Sequence, residues 1–133
     1  MLRILLILLP MSGMLTACQT LGEHQRAESL QDILRRYEAA IRWSSGRQAR
    51  NFLPLELAKT EITPPVQRDV KVTHYEVVQG PTMLGDMRAV QTAVIQYVFQ
   101  DSQIVREIMD QQEWRYDEEA EIWHLYSQVP VFR

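Results

Sequence analysis

The chain reads as an α+β domain: two amphipathic helices in its first half, packed on one face of a curved antiparallel sheet of about four strands in its second. Three observations predict this. Apolar residues recur every three or four positions from Ala27 to Ser44, Pro64-Pro65 breaks the chain near its middle, and the remainder is rich in β-branched and aromatic residues with period-two alternation. The length of 133 residues fits one domain, and a content of 46% hydrophobic and 23% charged residues is that of an ordinary globular protein.

The first helix places Ala27, Leu30, Ile33, Leu34, Tyr37, Ala40, Ile41 and Ser44 on one face and turns Trp43 away from it. Gly46 is suited to the left-handed conformation that ends helices. A shorter helix follows from Arg47, with Ala49, Phe52 and Leu53 inward, bends at Pro54 and resumes to about Lys59. Residues 66–78 read as a strand whose valines fall on both parities, which implies a bulge or burial on two faces. Residues 80–86 read as a loop tipped by Met83 and Leu84.

Residues 86–100 and 103–116 form the most informative stretch. A two-residue turn at Asp101-Ser102 pairs Phe99 with Ile104, Tyr97 with Arg106, Ile95 with Ile108, Ala93 with Asp110, Gln91 with Gln112 and Ala89 with Trp114, all on one face. A last hairpin turning through residues 117–120 sets Trp114 opposite Trp123 and Gln112 opposite Leu125 on that same face. The strand fades at Val129-Pro130.

Residues 1–17 have the organisation of an export signal: a basic start at Arg3, an apolar run from Ile4 to Leu9, then a break and small residues. The run is too short to span a hydrocarbon core, which takes about 20 helical residues. Leu15-Thr16-Ala17-Cys18 resembles the lipobox of bacterial lipoproteins. The resemblance implies cleavage before Cys18 and acylation of its sulfur and amino terminus; the alternative is an ordinary signal cleavage that leaves Cys18 an incidental thiol. Several acyl chains, at about 0.8 kcal/mol per buried CH₂, would make a firm anchor. Gln19 after the cysteine, rather than the aspartate of inner-membrane-retained lipoproteins, points to the periplasmic face of the outer membrane. The expected organisation is therefore a signal peptide at 1–17, lipidated Cys18 with a short tether at 18–27, and one α+β domain at 28–133.

Without residues 1–17 the chain keeps 13 basic and 17 acidic residues, a net charge of −4, with residues 100–133 the acidic end. That balance argues against nucleic acid, whose backbone calls for clustered Lys and Arg. The lone cysteine leaves no intrachain disulfide, so stability rests on the core.

The segment Tyr37-Glu38-Ala39-Ala40-Ile41-Arg42-Trp43, the Ala49 to Leu53 stretch before a proline, and a terminal hairpin with Trp114 and Trp123 around an acidic turn resemble the NTF2-like, cystatin-like cone superfamily in organisation. Another small-lipoprotein class, the two-helix, three-stranded subunit of outer-membrane assembly machinery, also begins with helices, but its glycine-rich turn is not evident. The cone resemblance implies a cavity between helices and sheet with a carboxylate or histidine as acid or base. Asp110, Gln112 and Gln91 would stand in the middle of an otherwise apolar face, needing partners, a ligand or water. Asp110 could shuttle protons there, or pair with nearby Arg106. Tyr97 and Arg106 could clamp a ligand, and Trp114 could stack on one, although sheet packing serves both. The candidate pocket is therefore Tyr97, Arg106, Asp110, Gln112 and Trp114. His24, His74 and His124 share no metal-ligand spacing, and no nucleophile motif, phosphate loop or dinucleotide fingerprint is present. No cofactor is expected. The expected role is a non-catalytic binding module, for an envelope protein or a small apolar ligand, held at the membrane by its lipid anchor; the alternative is a small lyase or isomerase using Asp110.

Overall fold

The computed structural model describes residues 16–61 and 69–133, with the backbone alone for 16–19. The leader through Leu15, the side chain of Cys18 and the Pro64-Pro65 break lie outside the described residues. Helix α1 (Thr16–Ser44) is followed by a 3₁₀ segment (Arg47–Phe52) and a short α2 (Leu55–Thr60). Strands β1 (Val70–Met83), β2 (Arg88–Phe99), β3 (Arg106–Asp117) and β4 (Ile122–Leu125) then form one antiparallel sheet in the order β1-β2-β3-β4. The sheet is curved and open, and α1 with the 3₁₀ segment packs on one face of it, so the molecule is α+β as expected. No helix among the described residues is long and apolar enough to cross a membrane.

Leu30, Ile33, Leu34, Tyr37 and Ile41 of α1 are buried against Ala89, Ala93, Ile95, Trp114, Trp123 and Leu125 of the sheet. Trp43 faces the other way, 84% exposed. The helix starts well before Ala27, because the intervening residues offer no stop: Glu23, Gln25 and Arg26 are good helix formers, and His24 pairs with Glu28 one turn on at 3.1 Å. Residues 19–27, expected as a tether, are thus helical in their backbone. At the other end Ser45 and Gly46 take positive φ values of 53° and 76°. A Cβ on Gly46 would come within 2.7 Å of the Phe132 ring, so glycine is needed there for packing as well as for backbone conformation.

The central hairpin has the expected register from Tyr97↔Arg106 through Ile95↔Ile108, Ala93↔Asp110 and Gln91↔Gln112 to Ala89↔Trp114. The expected pair of Phe99 with Ile104 does not form. Ser102 and Gln103 both donate backbone N–H groups to the Phe99 carbonyl, Gln103 goes to φ 50°, and Ile104 is left 60% exposed. The last hairpin is shifted by two residues: Trp114 pairs with Leu125 and Tyr116 with Trp123. Its loop is longer than expected because Asp117 Oδ1 accepts from the N–H groups of Glu119 and Ala120 and Glu121 turns to φ 54°. A shift of two preserves the face, so both tryptophans still point into the core. Strand β1 runs on through Gly80 and Pro81, expected as loop, since an edge strand tolerates a residue without N–H on its open side.

Trp123 ties β4 to α1. Its indole Nε1 donates to Arg26 O and to Ser29 Oγ, both at 3.1 Å, from a side chain 1% exposed. Trp123→Phe keeps most of the apolar contact and removes both bonds, so denaturant unfolding is expected to register a loss of about 1 kcal/mol.

Candidate functional site

The concave face carries three buried polar residues among its apolar neighbours, and all three come from the centre of the β2–β3 pair. Gln91, Asp110 and Gln112 are 5%, 4% and 2% exposed. Each sits on the inward parity because the hairpin alternates, and Ala93, opposite Asp110, leaves room at the middle of the face.

Gln112 is the hub. Its amide nitrogen donates to Asp110 Oδ2 at 2.8 Å and to the Tyr75 hydroxyl at 2.9 Å. Its amide oxygen accepts from Gln91 Nε2 at 3.3 Å and from Trp114 Nε1 at 3.2 Å. Two donors and two acceptors exhaust what a primary amide offers, so the network is complete around Gln112. Trp114 is fully buried beneath it, edge-on to Tyr37 and Phe52 at centroid distances of 5.3 and 6.2 Å.

Asp110 has no ion-pair partner among the described residues, Arg106 included. Burial therefore pushes its carboxyl up to about 6, opposed by hydrogen bonding from Gln112 and the approach of Tyr37. The Tyr75 hydroxyl is raised to about 12, chiefly by burial. Tyr37 is raised further by burial and by the Asp110 charge; its hydroxyl lies near that carboxylate without reaching regular hydrogen-bond geometry. A buried carboxylate facing two tyrosines and no cation can hold a proton near neutrality, and it can accept a cationic or hydrogen-bonding guest.

A groove of about 560 Å³ opens beside this cluster, between β3 residues 108–111 and the closing segment 128–131, with Tyr97 and Arg133 at one end. The closing segment is tied down at Tyr97, whose hydroxyl donates to Arg133 O at 2.7 Å and accepts from Arg133 N at 3.1 Å, while Phe132 packs edge-on at 4.9 Å.

Of the five residues expected to form a pocket, Asp110, Gln112 and Trp114 come together in one network and Tyr97 shares the groove with Asp110. Arg106 does not join them. Its guanidinium lies 5.4 Å above the Phe99 ring, so Arg106 and Tyr97 form no clamp. Tyr75 and Tyr37 complete the cluster without having been expected there. The register shift between Val72 and His74 is what brings Tyr75 inward, and the mixed valine parity of that strand was its only trace in the sequence. His24, His74 and His124 remain apart, and among the described residues no group of His, Cys, Asp and Glu is placed to hold a metal ion. No protein-family model, no curated protein and no solved structure matches the chain.

Proposed function

We propose that the chain is a bacterial envelope lipoprotein, anchored through Cys18 to the periplasmic face of the outer membrane, whose domain is a non-catalytic binding module. The NTF2-like resemblance belongs to this proposal as well, with its cone occupied by core rather than by a deep cavity. The observation that carries the binding half is the open groove of about 560 Å³ between residues 108–111 and 128–131, while the saturated Gln112 amide speaks against catalysis. The polar network is assembled by the chain's own residues, and its carboxylate is 4% exposed and engaged, whereas acid–base work needs that group within reach of a reacting atom. The groove along β3 remains available to a guest, either an envelope protein or a small apolar ligand.

One observation favours the second reading, a small lyase or isomerase using Asp110. The carboxyl, pushed up to about 6 by burial, adjoins a groove large enough for a small molecule. In that reading Asp110 is the base and Tyr37 orients it.

Anchoring is tested by changing Cys18 to Ala and separating membranes from soluble periplasm. The expected result is wild-type chain in the outer-membrane fraction and most of the variant in the soluble fraction, because no lipid chains remain to hold it. Undiminished membrane association of Cys18→Ala would defeat the lipoprotein reading.

A further inference from the structure

Strands β3 and β4 end their pairing early. The ladder stops at Trp114↔Leu125, although β3 itself continues for eight more residues back to Arg106. Tyr126 N still donates to Glu113 O at 2.8 Å, and the Glu113 N–H is taken by Ser127 Oγ at 3.2 Å. The backbone groups of Glu113 thus face the β4 side, and with a period of two so do those of Gln111, Met109 and Glu107. Among the described residues nothing pairs with that edge.

The chain's own continuation cannot fill it. Extending the β3–β4 register sets residue 130 opposite Met109 at a position that must donate an N–H, and residue 130 is proline. From Gln128 the segment instead leaves the sheet and crosses to Tyr97, which leaves the groove where the rest of β4 would have lain. A strand residue in a sheet occupies about 160 Å³, from about 3.3 Å of rise, 4.8 Å between strands and 10 Å between layers. A groove of about 560 Å³ therefore holds a single strand of about three to four residues.

The sheet's other open edge is built differently. Strand β1 is interrupted by three register shifts and carries Pro81, both of which discourage a neighbour, whereas β3 pairs with β2 without a shift. A second copy of the chain would bring its own β2 beside its β3 and so need room for two strands, whereas the groove takes one.

Charge says what kind of strand is received. Asp110 on the inner side forms no ion pair among the described residues, Arg133 at the end of the groove included, and Met109 on the outer side is 64% exposed. We infer that the open edge of β3 receives an extended peptide segment of a partner protein, added antiparallel over residues 108–111, with an apolar side chain over Met109 and a basic side chain turned toward Asp110. This deepens the binding-module reading by naming site and partner chemistry, and it does not depend on the anchor. Main-chain bonds supply affinity in such strand addition and the alternate side chains supply specificity.

The probe is a capped eight-residue peptide of alternating valine and lysine, titrated into the purified chain while amide exchange is followed by NMR. At a peptide concentration about ten times Kd, exchange of the Met109 and Gln111 amides should slow roughly tenfold. N-methylation of alternate peptide amides should abolish the effect, and Asp110→Asn should weaken binding while leaving the near-UV circular dichroism unchanged. Three results would overturn the inference: no slowing at Met109 and Gln111 with millimolar peptide, equal slowing by a valine–glutamate peptide, or slowing that appears without peptide as the protein concentration rises, which would assign the edge to a second copy. Membrane fractionation of Cys18→Ala is untouched by any of these, so the two readings fail separately.

Discussion

Trp114→Ala is expected to cost about 4 kcal/mol, in the upper part of the range for truncating one side chain in a core. The side chain is completely buried, touches Tyr37 and Phe52 edge-on, and donates the indole hydrogen bond that helps saturate Gln112. Alanine would leave a cavity the size of an indole at the helix–sheet junction and free one acceptor position on a buried amide. A domain of this size has about 5–15 kcal/mol in total, so the melting temperature should fall by on the order of 15 °C and a destabilised background would not fold. Trp43→Ala is the internal control. Its ring is 84% exposed, and the change should stay within about 0.5 kcal/mol. Equal losses at the two positions would mean that α1 presents a different face to the sheet.

Asp110→Asn should act in the opposite direction at neutral pH. The carboxyl lies near 3.9 in an unfolded chain and at about 6 in the folded one, because burial disfavours its charged form and no cation answers it. A folded-state value raised in this way means that the native chain holds the proton more tightly. The group's stabilisation is fully present below about pH 4, declines as pH rises, and is gone above about pH 6. Two units correspond to about 3 kcal/mol. Asparagine can still accept from Gln112 and never ionises, so at pH 7 the variant should be about 1–3 kcal/mol more stable than wild type, the lower figure allowing for a weaker hydrogen bond. Below pH 4 the two should converge. Unfolding midpoints measured from pH 3 to pH 8 decide the point, and parallel wild-type and variant profiles would show that Asp110 is not desolvated.

The Asp110 position bears on function because it sets a buried carboxylate without an ion-pair partner among the described residues beside the groove. Its surroundings were legible in the sequence because the β2–β3 hairpin alternates strictly, and Gln91, Asp110 and Gln112 interrupt an apolar face at matching register positions. The helical layer was equally legible from the three-and-four spacing between Leu30 and Ile41. What escaped depended on interactions that no periodicity encodes. The β3–β4 register turns on the Asp117 side chain capping its own loop, and Phe99↔Ile104 fails because Gln103 adopts a left-handed conformation. The start of α1 is unmarked in the sequence because a polar stretch of good helix formers carries no core-facing stripe. The helical spacing places Tyr37 in the core, where it lies, but its closeness to Asp110 is a relation between a helix and a strand more than seventy residues apart. The groove exists because the β3–β4 pairing stops at Trp114↔Leu125 and the segment beyond Gln128 leaves the sheet, and a fading strand at Val129-Pro130 was all that announced it.

The Asp110 carboxylate lies buried, with no cationic partner among the described residues, at the edge where a guest strand would enter. The most direct test of this placement is to follow the Asp110 side-chain carboxyl carbon by NMR across pH 3 to pH 8, with and without the valine–lysine peptide. The expected titration has its midpoint at about 6 in the free chain and moves lower when lysine is brought to it, since a nearby cation favours the ionised form. A midpoint near 4 in the free chain, or one that the peptide leaves unmoved, would contradict it.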